Sequence, residues 1–120
     1  LRSELETTHR PTVIALHQHP VMIGIDWLDQ MGVVNAQALL AIIDQFRQVK
    51  VVLFGHIHHA FHHQRNGVDY YGCPSTCTQV VSDDTADPTL HQPGFRLLHL
   101  NPNGDHETVI HRVANALSRG

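Results

Sequence analysis

The chain has 120 residues, 42% hydrophobic and 16% charged, which is room for one small domain and too little for two separate cores. Eight basic residues against 11 acidic ones give a formal charge of −3, and the basic residues are scattered, which excludes nucleic-acid binding by a basic face. Twelve histidines, one residue in ten, point either to metal binding or to an unusual tolerance of imidazole.

In chain order, Leu1, Leu5 and the Ser3/Glu6 capping-box spacing predict an opening helix. A start at Leu1 rather than Met is what a truncated or processed product would show. Thr12 to Leu16 is a short apolar run, partly β-branched, which predicts a strand buried on both faces. A loop follows through Val34. Asn35 then caps a helix whose Leu39, Leu40, Ile42, Ile43 and Phe46 recur at three and four, one face for packing on a sheet. Val49 to Phe54 is a second buried strand, stopped by Gly55 and His56. Strand, helix and strand in this order predict a right-handed βαβ unit with parallel strands.

The character then becomes antiparallel. Asn66-Gly67 between residues 61–65 and 68–71 is a two-residue hairpin signal. Residues 72–93 form an irregular segment too long for mere connection. Residues 95–100 and 106–113 make a second hairpin across Asn101-Pro102-Asn103-Gly104, and the tail from Ala114 is expected to fray. The fold class is therefore α/β with α+β character, one βαβ unit plus antiparallel hairpins, in a single domain spanning residues 1–120. The longest apolar run, residues 38–43, falls far short of the roughly 20 residues that cross a bilayer. With no secretion signal at the N-terminus, the expected location is the cytoplasm and no membrane partner is expected. Cys73 and Cys77 fit neither a redox motif nor a disulfide framework and read as free thiols.

Three histidines fall where chemistry would need them. His17 follows the first parallel strand, and His56 and His58 follow the second, so all three are expected at the carboxyl edge, where α/β sheets place ligands. In extended chain His56 and His58 would point to the same side. Three converging imidazoles suit a divalent transition metal. Alternation turns His19 and His59 away from that side. His62, His63, His91, His99, His106 and His111 read as solvated strand-face or downstream residues.

Leu16-His17-Gln18-His19-Pro20, Trp27-Leu28-Asp29, Gly55-His56-Ile57-His58, Pro74-Ser75-Thr76-Cys77 and Pro93-Gly94-Phe95-Arg96 lie in a telling order and spacing. Together they resemble the C-terminal half of a calcineurin-like metallophosphoesterase, within that superfamily most of all the bacterial 3′,5′-cyclic-AMP phosphodiesterases. The resemblance runs from the opening helix to about Val113. It implies half of an α/β-β/α sandwich and, in the parent protein, two metal ions, iron with manganese or zinc. It implies that His17 and His56 serve one ion and His58 the other. The implied reaction is attack of a metal-bridged hydroxide on a small cAMP-like phosphodiester.

The chain also departs from that pattern. The second histidine of the family's His-His-Pro-type motif is Gln18 here, and the Asp-x-His and Gly-Asn-His motifs that supply further ligands and the proton donor do not occur. The 120 residues alone are therefore expected to bind metal weakly and to hydrolyse nothing at a useful rate. On the substrate side, Ser75 and Thr76 offer hydroxyls, Arg96 offers a cation for an anionic substrate, and His19 is an adjacent candidate. A tight turn for Ser75 and Thr76, and an exposed strand position for Arg96, are the competing readings. Trp27 either packs the loop after His17 or pairs subunits. A half-sandwich leaves open sheet edges, so self-association is expected. Two other functions compete: a non-enzymatic module that holds zinc or nickel with these histidines and His62/His63, and a mononuclear hydrolase, for which no general base is well placed.

Overall fold

The structure is a computed structural model that describes residues 1–81 and 87–114. It opens with helix α1 (Arg2–Glu6), then β1 (Thr12–Leu16), the single helical turn α2 (Asp26–Asp29), α3 (Ala36–Asp44) and β2 (Val49–Phe54). Strands β3 (Phe61–Arg65) and β4 (Val68–Gly72) follow, then a 3₁₀ turn (Pro88–His91), β5 (Gly94–Leu100) and β6 (His106–Arg112). The expected tail from Ala114 lies almost wholly outside the described residues.

Four strands form one sheet in the order β1-β2-β4-β3, and β5-β6 form a separate two-stranded sheet. β2 runs parallel to both β1 and β4, while β3 pairs antiparallel with β4. This is the mixed α/β architecture expected from the sequence, consistent with half of a metallophosphoesterase sandwich. The β3-β4 turn places Asn66 at φ 51° and Gly67 at φ 78°, the two positive values that a two-residue hairpin requires.

Burial follows strand position. β2 is central, and Val49, Val51, Val52 and Phe54 are almost wholly buried. β1 was expected to be buried on both faces, but among the described residues it pairs only with β2, and its residues are half-buried with Ala15 exposed. A run of apolar residues marks a strand without saying whether a further strand lies beyond it. α3 presses Leu40 and Ile43 into a cluster with Val49, Val52, Phe54, Ile57 and Tyr70. Asn35 stands at the N-cap of α3, yet its side chain makes no capping bond. The Ser3/Glu6 box does not form either, because α1 starts at Arg2 and the Ser3 hydroxyl bonds Glu4.

The two sheets are tied by side chains. The hydroxyl of Tyr71 lies 2.8 Å from His106 Nε2, and the same nitrogen is 3.3 Å from Asp69 Oδ2. On the outer surface of the β5-β6 pair, Phe95, Leu97 and Val109 are more than two-fifths exposed. No helix among the described residues is long and apolar enough to cross a membrane.

Candidate metal centre

The register places the site. Leu16 of β1 is level with Phe54 of β2, and Phe54 is level with Gly72 of β4, so all three parallel strands end on one line. The backbone ladders continue just past it, with Gly55 N donating to His17 O at 3.0 Å and Cys73 N to Phe54 O at 3.1 Å. His17, His56 and the Cys73-Pro74-Ser75 segment therefore emerge at the same carboxyl edge, where open α/β sheets bind ligands.

The chain turns sharply as it leaves β2. Ile57 is fully buried and its N–H bonds Gly55 O at 2.7 Å, so it plugs into the core between two half-buried histidines. His56 has φ 69° and His58 φ 51°, a left-handed conformation that costs a residue with a Cβ about 1 kcal/mol or more. The extended-strand alternation expected for His56 and His58 is thus replaced by two left-handed residues flanking a buried isoleucine. Space for that plug comes from Gly72, where a Cβ would stand 2.6 Å from Ile57 Cδ1.

His17 and His56 are brought together. His17 Nε2 lies 3.2 Å from His56 Nδ1, with the rings nearly perpendicular and their centroids 5.1 Å apart. Two nitrogens bound tetrahedrally to one zinc ion, at about 2.0–2.1 Å each, would stand about 3.3 Å apart, so the pair fits a shared ion as well as a shared proton. Burial, followed by the charges of His17, His19 and His58, pushes the His56 pKa down and favours the neutral imidazole that a metal needs. The Nε2 of His56 is buried without a partner. His58 is half-buried nearby, its carbonyl accepting from Val80 N at 2.8 Å. Among the described residues, no group of three or more His, Cys, Asp or Glu side chains converges as a metal site. The structure therefore joins two of the three expected ligands and leaves the third beside them.

The residues expected on the substrate side differ in their surroundings. His19 is only 2% exposed, with its Nε2 3.2 Å from Asp29 Oδ1 and its ring parallel to that of His56. The Ser75 hydroxyl accepts from Cys77 N at 2.9 Å and closes a tight turn, while its carbonyl accepts from Gly94 N, also at 2.9 Å. Thr76 is exposed. Arg96 is no solvated strand residue: it donates to Gly72 O and Thr108 Oγ1, both at 3.0 Å, and lies 4.6 Å over the Tyr71 ring. Those carbonyl and ring partners make it a clamp between the sheets. His62 is exposed on the face of β3, as expected, and there it stacks on Tyr71 and sits 2.7 Å from Asp69 Oδ1.

A groove of about 400 Å³ opens between the loop after β1, α3 and β3, lined by His19 and Asp29 together with Val21, Met22, Leu40 and Arg65 among others. Sequence reasoning missed the Asp29 carboxylate as an organising group. Its signal was present in Trp27-Leu28-Asp29, but nothing in the spacing tells that Asp29 folds back onto His19.

No family model matches the chain. It is 46% identical over 119 residues to a Nostoc 3′,5′-cyclic-nucleotide phosphodiesterase, covering 98% of this chain and 45% of that protein. It is 41% identical over 104 residues to the 3′,5′-cyclic adenosine monophosphate phosphodiesterase CpdA of Pseudomonas aeruginosa, covering 84% of this chain and 38% of that protein. With the Escherichia coli protein of the same name the identity is 37% over 117 residues, covering 95% of this chain and 42% of that protein. The chain thus spans less than half the length of the relatives it matches. It is homologous to the C-terminal half of bacterial 3′,5′-cyclic-nucleotide phosphodiesterases.

Proposed function

We propose that this chain supplies one side of a binuclear metal centre that hydrolyses a cyclic-nucleotide phosphodiester, and that the centre is incomplete in these residues alone. The observation that carries the reading is the His17–His56 pair, two imidazole nitrogens 3.2 Å apart at the carboxyl edge of the parallel strands. Support comes from relatives named as cyclic-nucleotide phosphodiesterases along nearly the whole chain.

His17 and His56 would hold one ion, and His58 would serve the second, with iron plus manganese or zinc as cargo. When bound, the ions supply Lewis-acid stabilisation of charge on the phosphoryl group. The protein's own part is to bias His56 towards the neutral form by burial, to set its ring against His17, and to anchor the turn after β2 through the buried Ile57. Two nitrogens are a weak donor set, and the chain contains no Asp-x-His or Gly-Asn-His motif to add ligands or a proton donor. Isolated, it would bind metal weakly and leave cyclic AMP intact. The exposed Phe95, Leu97 and Val109 favour self-association, which sedimentation tests, a monodisperse monomer being the result against it.

Calorimetric titration of the chain with Zn²⁺ and Mn²⁺, alongside a cyclic-AMP hydrolysis assay, tests the reading. The expected result is weak binding that His17→Ala or His56→Ala removes, with no turnover above the metal-only blank. Binding unaffected by either substitution would overturn the ligand assignment. Turnover at the rate of a full-length relative would overturn the incompleteness.

A further inference from the structure

His56 keeps a backbone conformation that its side chain disfavours, so the orientation of its ring depends on its surroundings. His17 is one neighbour. The other is His19, whose ring is within 16° of parallel to that of His56, with centroids 6.2 Å apart.

His19 has little freedom. It is 2% exposed, and its carbonyl accepts from Val33 N at 3.1 Å. A Cβ on Gly32 would stand 2.8 Å from that same carbonyl oxygen, so only glycine lets the returning loop lie this close. At its other end, the His19 ring meets Asp29, and Asp29 is fixed in turn. Asp29 accepts from Ile23 N at 2.9 Å and Gly24 N at 3.1 Å, while Leu28 beside it is 2% exposed and anchors α2 in the core. A carboxylate beside Nε2 holds the imidazole in the tautomer with its proton there, and Nδ1 is buried without a partner.

We propose that Asp29 and His19 are positioning residues for the metal centre: anchored by the 23–29 loop, the pair backs the His56 imidazole and holds it facing His17. This rests on the reading of His17 and His56 as ligands, and it gives Trp27-Leu28-Asp29 a purpose that ligation alone does not. Hydrogen-bonded partners behind a ligating imidazole set ring orientation and are worth about 10–100-fold in metal affinity; His19 packs on His56 without a hydrogen bond to it, which puts the expected loss at the lower end, about tenfold.

The test uses the whole chain with Co²⁺ as the probe, its visible absorbance giving the affinity well below the melting temperature. A metal-free arm measures the nuclear Overhauser contact between the His17 and His56 rings. Asp29→Asn and His19→Gln are each expected to weaken Co²⁺ binding by about tenfold and to diminish the ring contact. If Asp29→Asn does not fold, His19→Gln carries both readouts. A folded variant with wild-type Co²⁺ affinity and an undiminished contact overturns the proposal, and so does a lowered melting temperature with both readouts unchanged. Should the wild-type chain bind no Co²⁺ that His17→Ala removes, the ligand reading fails. The ring contact then decides the positioning pair by itself: its loss in the variants upholds the pair, and its persistence overturns it.

Discussion

Replacing Arg96 with Met asks whether this arginine holds the sheets together or awaits an anionic substrate. Its guanidinium donates to Gly72 O at the end of β4 and to Thr108 Oγ1 on β6, each at 3.0 Å, and lies 4.6 Å over Tyr71. Hydrogen bonds from a charged donor contribute about 1.5–3 kcal/mol each and a cation–π contact about 0.5–1 kcal/mol, which sets the upper bound. Two features reduce it. The residue is half-buried, so solvent screens part of its charge, and its Nε is buried without a partner. Met fills much of the volume, and Thr108 keeps its own bond to Leu97 O at 2.8 Å, but Gly72 O loses a donor. The expected loss is about 2 kcal/mol, or a fall of about 8 °C in Tm for a domain of this size. Urea unfolding of wild type, Arg96→Met and Arg96→Lys measures it, with Lys recovering less than half because it lacks the planar fork. An Arg96→Met chain within about 0.5 kcal/mol of wild type would refute the clamp.

Gly32→Ala should destabilise the chain by about 1–3 kcal/mol, because the new Cβ would meet the His19 backbone oxygen at 2.8 Å, and backbone cannot swing aside. An unchanged thermal midpoint would count against that packing. The Asp44–Arg65 pair predicts a pH signature. Its hydrogen bond from Arg65 is the first cause holding the Asp44 carboxyl below its ordinary value. A lowered folded-state pKa gives stabilisation that is full above the unfolded value near 3.8 and is lost as pH falls through the folded one. The stability gap between wild type and Asp44→Asn should therefore be widest at neutral pH and close below about pH 4. Unfolding curves with a constant gap from pH 6 to pH 3 would contradict this.

What was legible in the sequence was whatever local chemistry dictates. Val49 to Phe54 reads as a buried strand because β-branched and aromatic residues fill it, and β2 is the central strand. Asn66-Gly67 reads as a hairpin because those residues tolerate the positive φ the turn needs. The βαβ order was enough to bring His17 and His56 to one edge, since parallel strands end on the same side. Tertiary structure decided the rest. Whether Thr12 to Leu16 is central or peripheral depends on neighbours that no local run encodes. His58 leaves the expected alternation because Ile57 is drawn into the core and twists both flanking residues left-handed. Arg96 becomes a clamp and His19 a buried partner of Asp29 only once distant segments are laid together, across 24 and 10 residues of chain respectively. Strand identity and turn chemistry are properties of a few adjacent residues. The partners of a polar side chain are chosen by the packing of elements far apart in sequence.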